Sequence, residues 1–144
     1  MMTSSARPAP STVRAVVAGH GSFADGLISA VQVISGRGDT LRAVSNTDLG
    51  PVELEEVIRA AVAAVDAKVV FTDLPAGSCT VAARRVARDV SGLTVVTGVN
   101  LSVLLAWVFA PDRSAAGCDN AVDRGRRAMA VFPGGARQEG GGAT

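Results

Sequence analysis

Short runs rich in valine and alanine alternate along this chain with longer stretches whose apolar residues recur at helical spacing. Residues 13–18 form the first such run, which ends at Gly19 and predicts a buried strand. Phe23, Leu27, Ala30, Val31 and Ile34 then follow a period near 3.6 and predict a helix over 23–35. Gly36, Arg37, Gly38 and Asp39 carry turn chemistry, and residues 40–45 read as a second, weaker strand. The next helix has the clearest start, with Pro51 at its first position and Glu53, Glu55 and Glu56 where carboxylates favour the helix dipole. Leu54, Val57, Ile58, Ala61, Val62 and Val65 form its apolar stripe.

Residues 68–72 predict a third strand and residues 73–77 a loop, after which Ser78 is expected to cap a helix running to about residue 90. Arg84, Arg85 and Arg88 lie on that helix's wet side. Residues 93–97 predict a fourth strand, closed by Gly98. A helix over 101–109 is stopped by Pro111, another is expected over 119–127, and a last short strand over 128–132.

Strands alternating with helices in this way predict an α/β fold: a doubly wound, mostly parallel sheet with helices on both faces. In such sheets the ligand crevice lies beyond the carboxyl ends of the strands. Three loops at those ends carry polar residues: His20 and Ser22 in the first, Asp73 and Ser78 in the third, Asn100 in the fourth.

Composition narrows the functions open to such a domain. At 144 residues the chain is expected to be one domain over residues 13–132. A Ser/Ala/Pro-rich leader (residues 1–12) and a Gly-rich tail (residues 133–144) are expected to be disordered. The net charge of +1 gives no steering toward nucleic acid or a membrane surface, and Arg124, Arg126 and Arg127 read as a solvated helix face. No apolar stretch reaches the roughly 18 residues of a membrane span, and the start lacks the apolar core of a signal peptide, so a cytoplasmic protein is expected. Cys79 and Cys118 lie far apart beside a single histidine, which argues against a zinc site; no metal and no cofactor is expected.

That histidine, His20, sits between Gly19 and Gly21, which leave its ring open and let the backbone approach a ligand. Asp73 follows a buried strand, as His20 closely follows another. A carboxylate bonded to one imidazole nitrogen fixes the tautomer and makes the other nitrogen the better nucleophile. Taken alone, Asp73 is equally a turn residue before Pro75, and Ser78 is simply a cap. Yet a helix start at Gly77 and Ser78 is also a cradle for an anion such as phosphate. Together these residues suggest phosphoryl transfer through a phosphohistidine on His20. Two rivals are weaker. Residues 19–24 fit the dinucleotide fingerprint G-x-G-x-x-A, but Asp39 precedes the second strand and Asp48 lies beyond it. The nucleophile elbow of a serine hydrolase would need outer glycines that Ala76 and Thr80 replace.

The residues also carry a family resemblance. Val16-Val17-Ala18-Gly19-His20-Gly21 resembles the phosphohistidine loop of the IIA components of the mannose-type phosphotransferase system. Phe71-Thr72-Asp73-Leu74-Pro75-Ala76-Gly77-Ser78 is similar to that family's second site loop. Val95-Val96-Thr97-Gly98-Val99-Asn100-Leu101 is similar to its fourth-strand segment, and Ala121-Val122-Asp123-Arg124-Gly125-Arg126 to its last helix. The resemblance implies a homodimer with a C-terminal strand exchanged between subunits. It implies that His20 takes a phosphoryl group from the histidine-containing phosphocarrier protein and hands it to a IIB component for sugar uptake. Asp73 would orient His20, and Ser78, Gly77 and Gly21 would hold the phosphoryl group. Contact with the membrane would be indirect, through IIC and IID components. One departure stands out: Cys79 occupies a position where many members have proline. The phosphocarrier of dihydroxyacetone kinase typically has serine after the histidine and a shorter Met-Gly-Ser second loop, so His20-Gly21 and Pro75-Ala76-Gly77-Ser78 fit the sugar branch better. A non-catalytic regulatory module of the same fold is the alternative from a different class.

Overall fold

All five residues of β1 (Ala15–Gly19) are buried, so the strand is apolar throughout instead of alternating. Its side chains still divide by the two-residue period of a strand: Ala15 and Val17 join one core cluster, Val16 and Ala18 another. The computed structural model describes residues 13–110 and 115–135; the leader expected over 1–12 and residues 136–144 of the expected tail lie outside them. With β2 (Leu41–Ser45), β3 (Val69–Thr72) and β4 (Thr94–Val96), β1 forms a fully parallel sheet in the order β2–β1–β3–β4.

Helices cover both faces, as the alternation of elements predicts. α1 (Phe23–Ser35), α4 (Leu101–Phe109) and α5 (Ala115–Ala128) pack on one side, where Trp107 meets Phe71 edge-on at 5.3 Å between ring centroids. α2 (Pro51–Val65) and α3 (Ser78–Asp89) pack on the other. α2 begins as its sequence dictates: Pro51 stands in the first turn, and the Glu53 side chain reaches back to accept the Gly50 N–H at 3.1 Å. Leu54, Ile58, Ala61 and Val62 bury its apolar stripe, whereas Val57 stays on the wet margin. Arg59 bonds both Glu55 and Asp89 at 3.0 Å, which ties α2 to α3.

The C-terminal end departs from expectation. α5 starts at Ala115 and runs through Ala128, so the first residue of the strand expected over 128–132 is helical. Met129–Phe132 form no strand, and the Met129, Val131 and Phe132 side chains are strongly exposed. A strand exists only through its ladder to a neighbour. Among the described residues of one chain, this segment has none.

Candidate functional site

The strand order places β1 and β3 side by side while the chain leaves them toward opposite flanks. β1 leads through α1 to β2, and β3 leads through α3 to β4. Such a switch point opens a crevice beyond the carboxyl ends of the two strands. His20 is the first residue after β1 and Asp73 the first after β3, and the pairing of Ala18 with Thr72 brings them to the same end of the sheet, one register step apart.

Asp73 serves His20 twice with one oxygen. Its Oδ2 accepts the His20 backbone N–H at 2.8 Å and lies 2.7 Å from the ring Nδ1. Burial of Asp73 favours its neutral form, but the bonds from the His20 ring and backbone, with the ring's charge, outweigh this and hold the carboxyl below its ordinary value. An ionised carboxylate can only accept, so Nδ1 carries a proton, and in the neutral ring Nε2 keeps the free lone pair. The His20 side chain is 47% exposed and that of Asp73 only 8%. The buried member therefore anchors, and the exposed member can reach another molecule.

Around this pair the loops are tied together by groups of both kinds. Gly21 adopts φ +56°, a conformation glycine accepts without strain, and its N–H points to Asn46 Oδ1 at 3.3 Å. Its carbonyl accepts from Ser45 Oγ at 2.8 Å. Asn46 Nδ2 in turn stands 3.5 Å from Ser78 Oγ, joining the first loop to the start of α3. Asn46 was not among the residues singled out from sequence: it follows β2 directly in no recognisable motif. The loop after β3 is held from beneath, where the Thr80 hydroxyl bonds Thr72 Oγ1 and donates to the Leu74 carbonyl.

Two expected roles shift. Gly77, not Ser78, is the residue that caps α3; Ser78 is the first helical residue, so its hydroxyl faces Asn46 instead of closing the turn. The extended ψ of 171° that starts the helix falls on Gly77. Asn100 is spent on structure: its Oδ1 caps α4 through Val103 N–H at 3.0 Å, and its Nδ2 donates to the Gly125 carbonyl of α5 at 3.0 Å. Cys79, the second residue of α3, is fully buried. Burial and the nearby Asp73 charge push its thiol up to about 11 against a weaker opposing bond from Ser78, so it stays protonated and is no nucleophile.

A half-exposed imidazole with a fixed tautomer and a helix N-terminus beside it suit transfer of an anionic group to nitrogen. Residues 14–122 match the model of the EIIA-man family, described as the PTS (phosphotransferase system) fructose IIA component. The chain belongs to this IIA family. Solved IIA structures share its fold. A phosphotransferase component EIIA from Streptococcus agalactiae superposes with a TM-score of 0.74 at 19% identity, over 83% of this chain and 97% of that one. A mannose/sorbose-specific IIA subunit from Enterococcus faecalis gives 0.74 at 18% identity, over 88% and 98%. A IIA protein associated with the fucose utilization operon of Streptococcus pneumoniae gives 0.73 at 23% identity, over 86% and 96%. Curated protein sequences return no significant match. As a IIA component the chain is part of a sugar phosphotransferase system. Among its described residues no helix is long and apolar enough to cross a membrane.

Proposed function

We propose that this IIA component carries phosphoryl groups on His20 Nε2. The group arrives from the phosphohistidine of the histidine-containing phosphocarrier protein and leaves to a IIB component for sugar uptake. In the loading step a bond forms between Nε2 and phosphorus while the donor's nitrogen–phosphorus bond breaks; unloading reverses the roles. The observation that carries this reading is the 2.7 Å contact between His20 Nδ1 and Asp73 Oδ2 at the switch point. As Nε2 bonds to phosphorus the ring becomes cationic, and the buried Asp73 charge stabilises it through Nδ1–H. The backbone N–H groups opening α3, with Gly77 and the Ser78 hydroxyl, and the Gly21 turn receive the phosphoryl oxygens. Little covalent work remains for the protein beyond positioning and charge.

The chain acts in the cytoplasm under this reading, meeting the membrane only through its partner components. It works as a homodimer in which the exposed Met129–Phe132 segment of each copy pairs with the other. Among the described residues β4 has a strand neighbour on one side only, which offers its outer edge for such pairing.

Incubation with phosphoenolpyruvate, enzyme I and the phosphocarrier protein tests the role. Acid-labile, alkali-stable label should appear on the wild type and be absent from His20→Ala. An unlabelled wild type, with both donor proteins active, leaves a non-catalytic module of the same fold.

A further inference from the structure

A His20 ring nitrogen, an Asp73 carboxylate oxygen and the Cys79 sulfur all lie within 4.8 Å of one another. They come from three separate stretches: the loop after β1, the loop after β3 and the first turn of α3. Sequence spacing gives no hint of this grouping, because the sheet crossover creates it. A second observation points the same way. Asp73 Oδ1 is buried and has no hydrogen-bond partner, although its sister oxygen takes two bonds from His20. Buried carboxylate oxygens ordinarily have a donor or a cation.

We propose that His20, Asp73 and Cys79 form a binding site for a thiophilic divalent cation of the zinc type. The donor set decides the class: a sulfur, an imidazole nitrogen and a carboxylate oxygen are the ligands zinc takes in its three-ligand sites, which keep a fourth position for water or an anion. Magnesium and calcium prefer oxygen alone and are disfavoured by the sulfur. With zinc–ligand lengths of about 2.0–2.3 Å, tetrahedral donors stand roughly 3.3–3.8 Å apart. The donors must draw together on binding, and the Asp73 carboxylate and the half-exposed His20 ring do so by rotating about their side-chain bonds. On binding, the Cys79 proton leaves to solvent as the sulfur–metal bond forms.

A disulfide role for Cys79 has no support in the fold, since Cys118 belongs to the cluster on the opposite face of the sheet. The cation's effect on phosphoryl transfer, though not the site itself, rests on His20 being the acceptor. A metal on Nε2 occupies the attacking lone pair; a metal on Nδ1 moves the ring proton to Nε2. Either way cation and phosphoryl group exclude each other.

The test uses the full chain, stripped with a chelator and titrated with zinc and then with cobalt. One cation should bind per chain, and the cobalt form should show thiolate-to-cobalt charge-transfer absorption with tetrahedral bands. Cys79→Ser should abolish the charge-transfer absorption and weaken zinc by about tenfold or more; His20→Ala should weaken zinc to a similar degree. A wild-type cobalt spectrum without thiolate absorption overturns the proposal and needs no variant to fold. So does unchanged zinc affinity in a folded Cys79→Ser. Because these readouts involve no phosphoryl transfer, a protein that binds cobalt through Cys79 but takes no label refutes the carrier role alone. A protein that takes label but shows no thiolate absorption refutes the site alone.

Discussion

Gly77 lies against the His20 ring: a Cβ at position 77 would stand 3.2 Å from His20 Cε1 and 3.4 Å from Leu74 Cβ. The backbone there has φ −76°, which any residue can adopt, so the demand at this position is for space. Gly77→Ala should therefore fold normally but displace the imidazole. Phosphorylation of His20 is expected to slow by roughly tenfold, since small misplacements of a reacting group are costly. Melting curves and label incorporation, measured side by side, check this. Equal rates would mean the ring has room to spare.

Asp73→Asn keeps shape and volume but removes the charge that holds Nδ1–H. Transfer should fall by roughly 100-fold or more with the secondary structure intact. Undiminished single-turnover transfer from the phosphorylated carrier protein would rule out a supporting role for Asp73.

The same carboxyl leaves a signature in stability. Its folded-state value lies below the ordinary 3.8, so its contribution is present above that pH and is lost as pH falls through the lower folded value. The difference in melting temperature between wild type and Asp73→Asn should shrink below about pH 3.8. A constant difference from neutral pH into that acid range would contradict the assignment of the charge.

Asn46→Ala cuts the tie between Gly21 and Ser78. At 3.3 and 3.5 Å these contacts are long, and the expected loss of stability is under about 1 kcal/mol. Transfer should slow several-fold because both loops that would flank the phosphoryl group lose their shared support. Denaturant titration with a parallel rate measurement separates the two effects.

Gly125 marks where α5 crosses α4, and a Cβ there would come within 2.1 Å of Val103 Cγ2. Gly125→Ala must push the helices apart, at an expected cost of about 1–3 kcal/mol. The hydrogen bonds that join His20 to Asp73 involve neither α4 nor α5, so label per folded molecule should hold steady. A melting temperature equal to wild type would show that the packing yields.

Ending the chain after Arg127 removes the exposed Met129, Val131 and Phe132, whose burial against a second copy is proposed. Sedimentation should then report a monomer where the full chain gives a dimer. A truncated protein that remains dimeric assigns the interface elsewhere.

How much of this could be read from sequence follows from which forces are local. The valine-rich strands and the stripe of α2 were legible because burial on both sheet faces imposes a plain pattern. The pairing of His20 with Asp73 was legible because both directly follow strands that a parallel sheet brings together. The cap of α3 shifted from Ser78 to Gly77 because extended backbone at one position decides it, and both residues suit a helix start. Asn46 gave no signal, since it follows β2 without a motif; Cys79 stood out only as a replacement for proline, and its nearness to His20 arises through the packing of α3. The strand expected over residues 128–132 has the right composition, but a ladder needs a neighbouring strand, and among the described residues none pairs with it.

Ala18 pairs with Thr72 close to the points where the two site loops leave the sheet. β1 and β3 are the two inner strands, hydrogen-bonded on both sides, and inner strands open last. His20 and Asp73 extend directly from them. The loops that carry the pair are thus rooted in the two strands bonded on both sides, and fraying at the β4 edge leaves those roots in place.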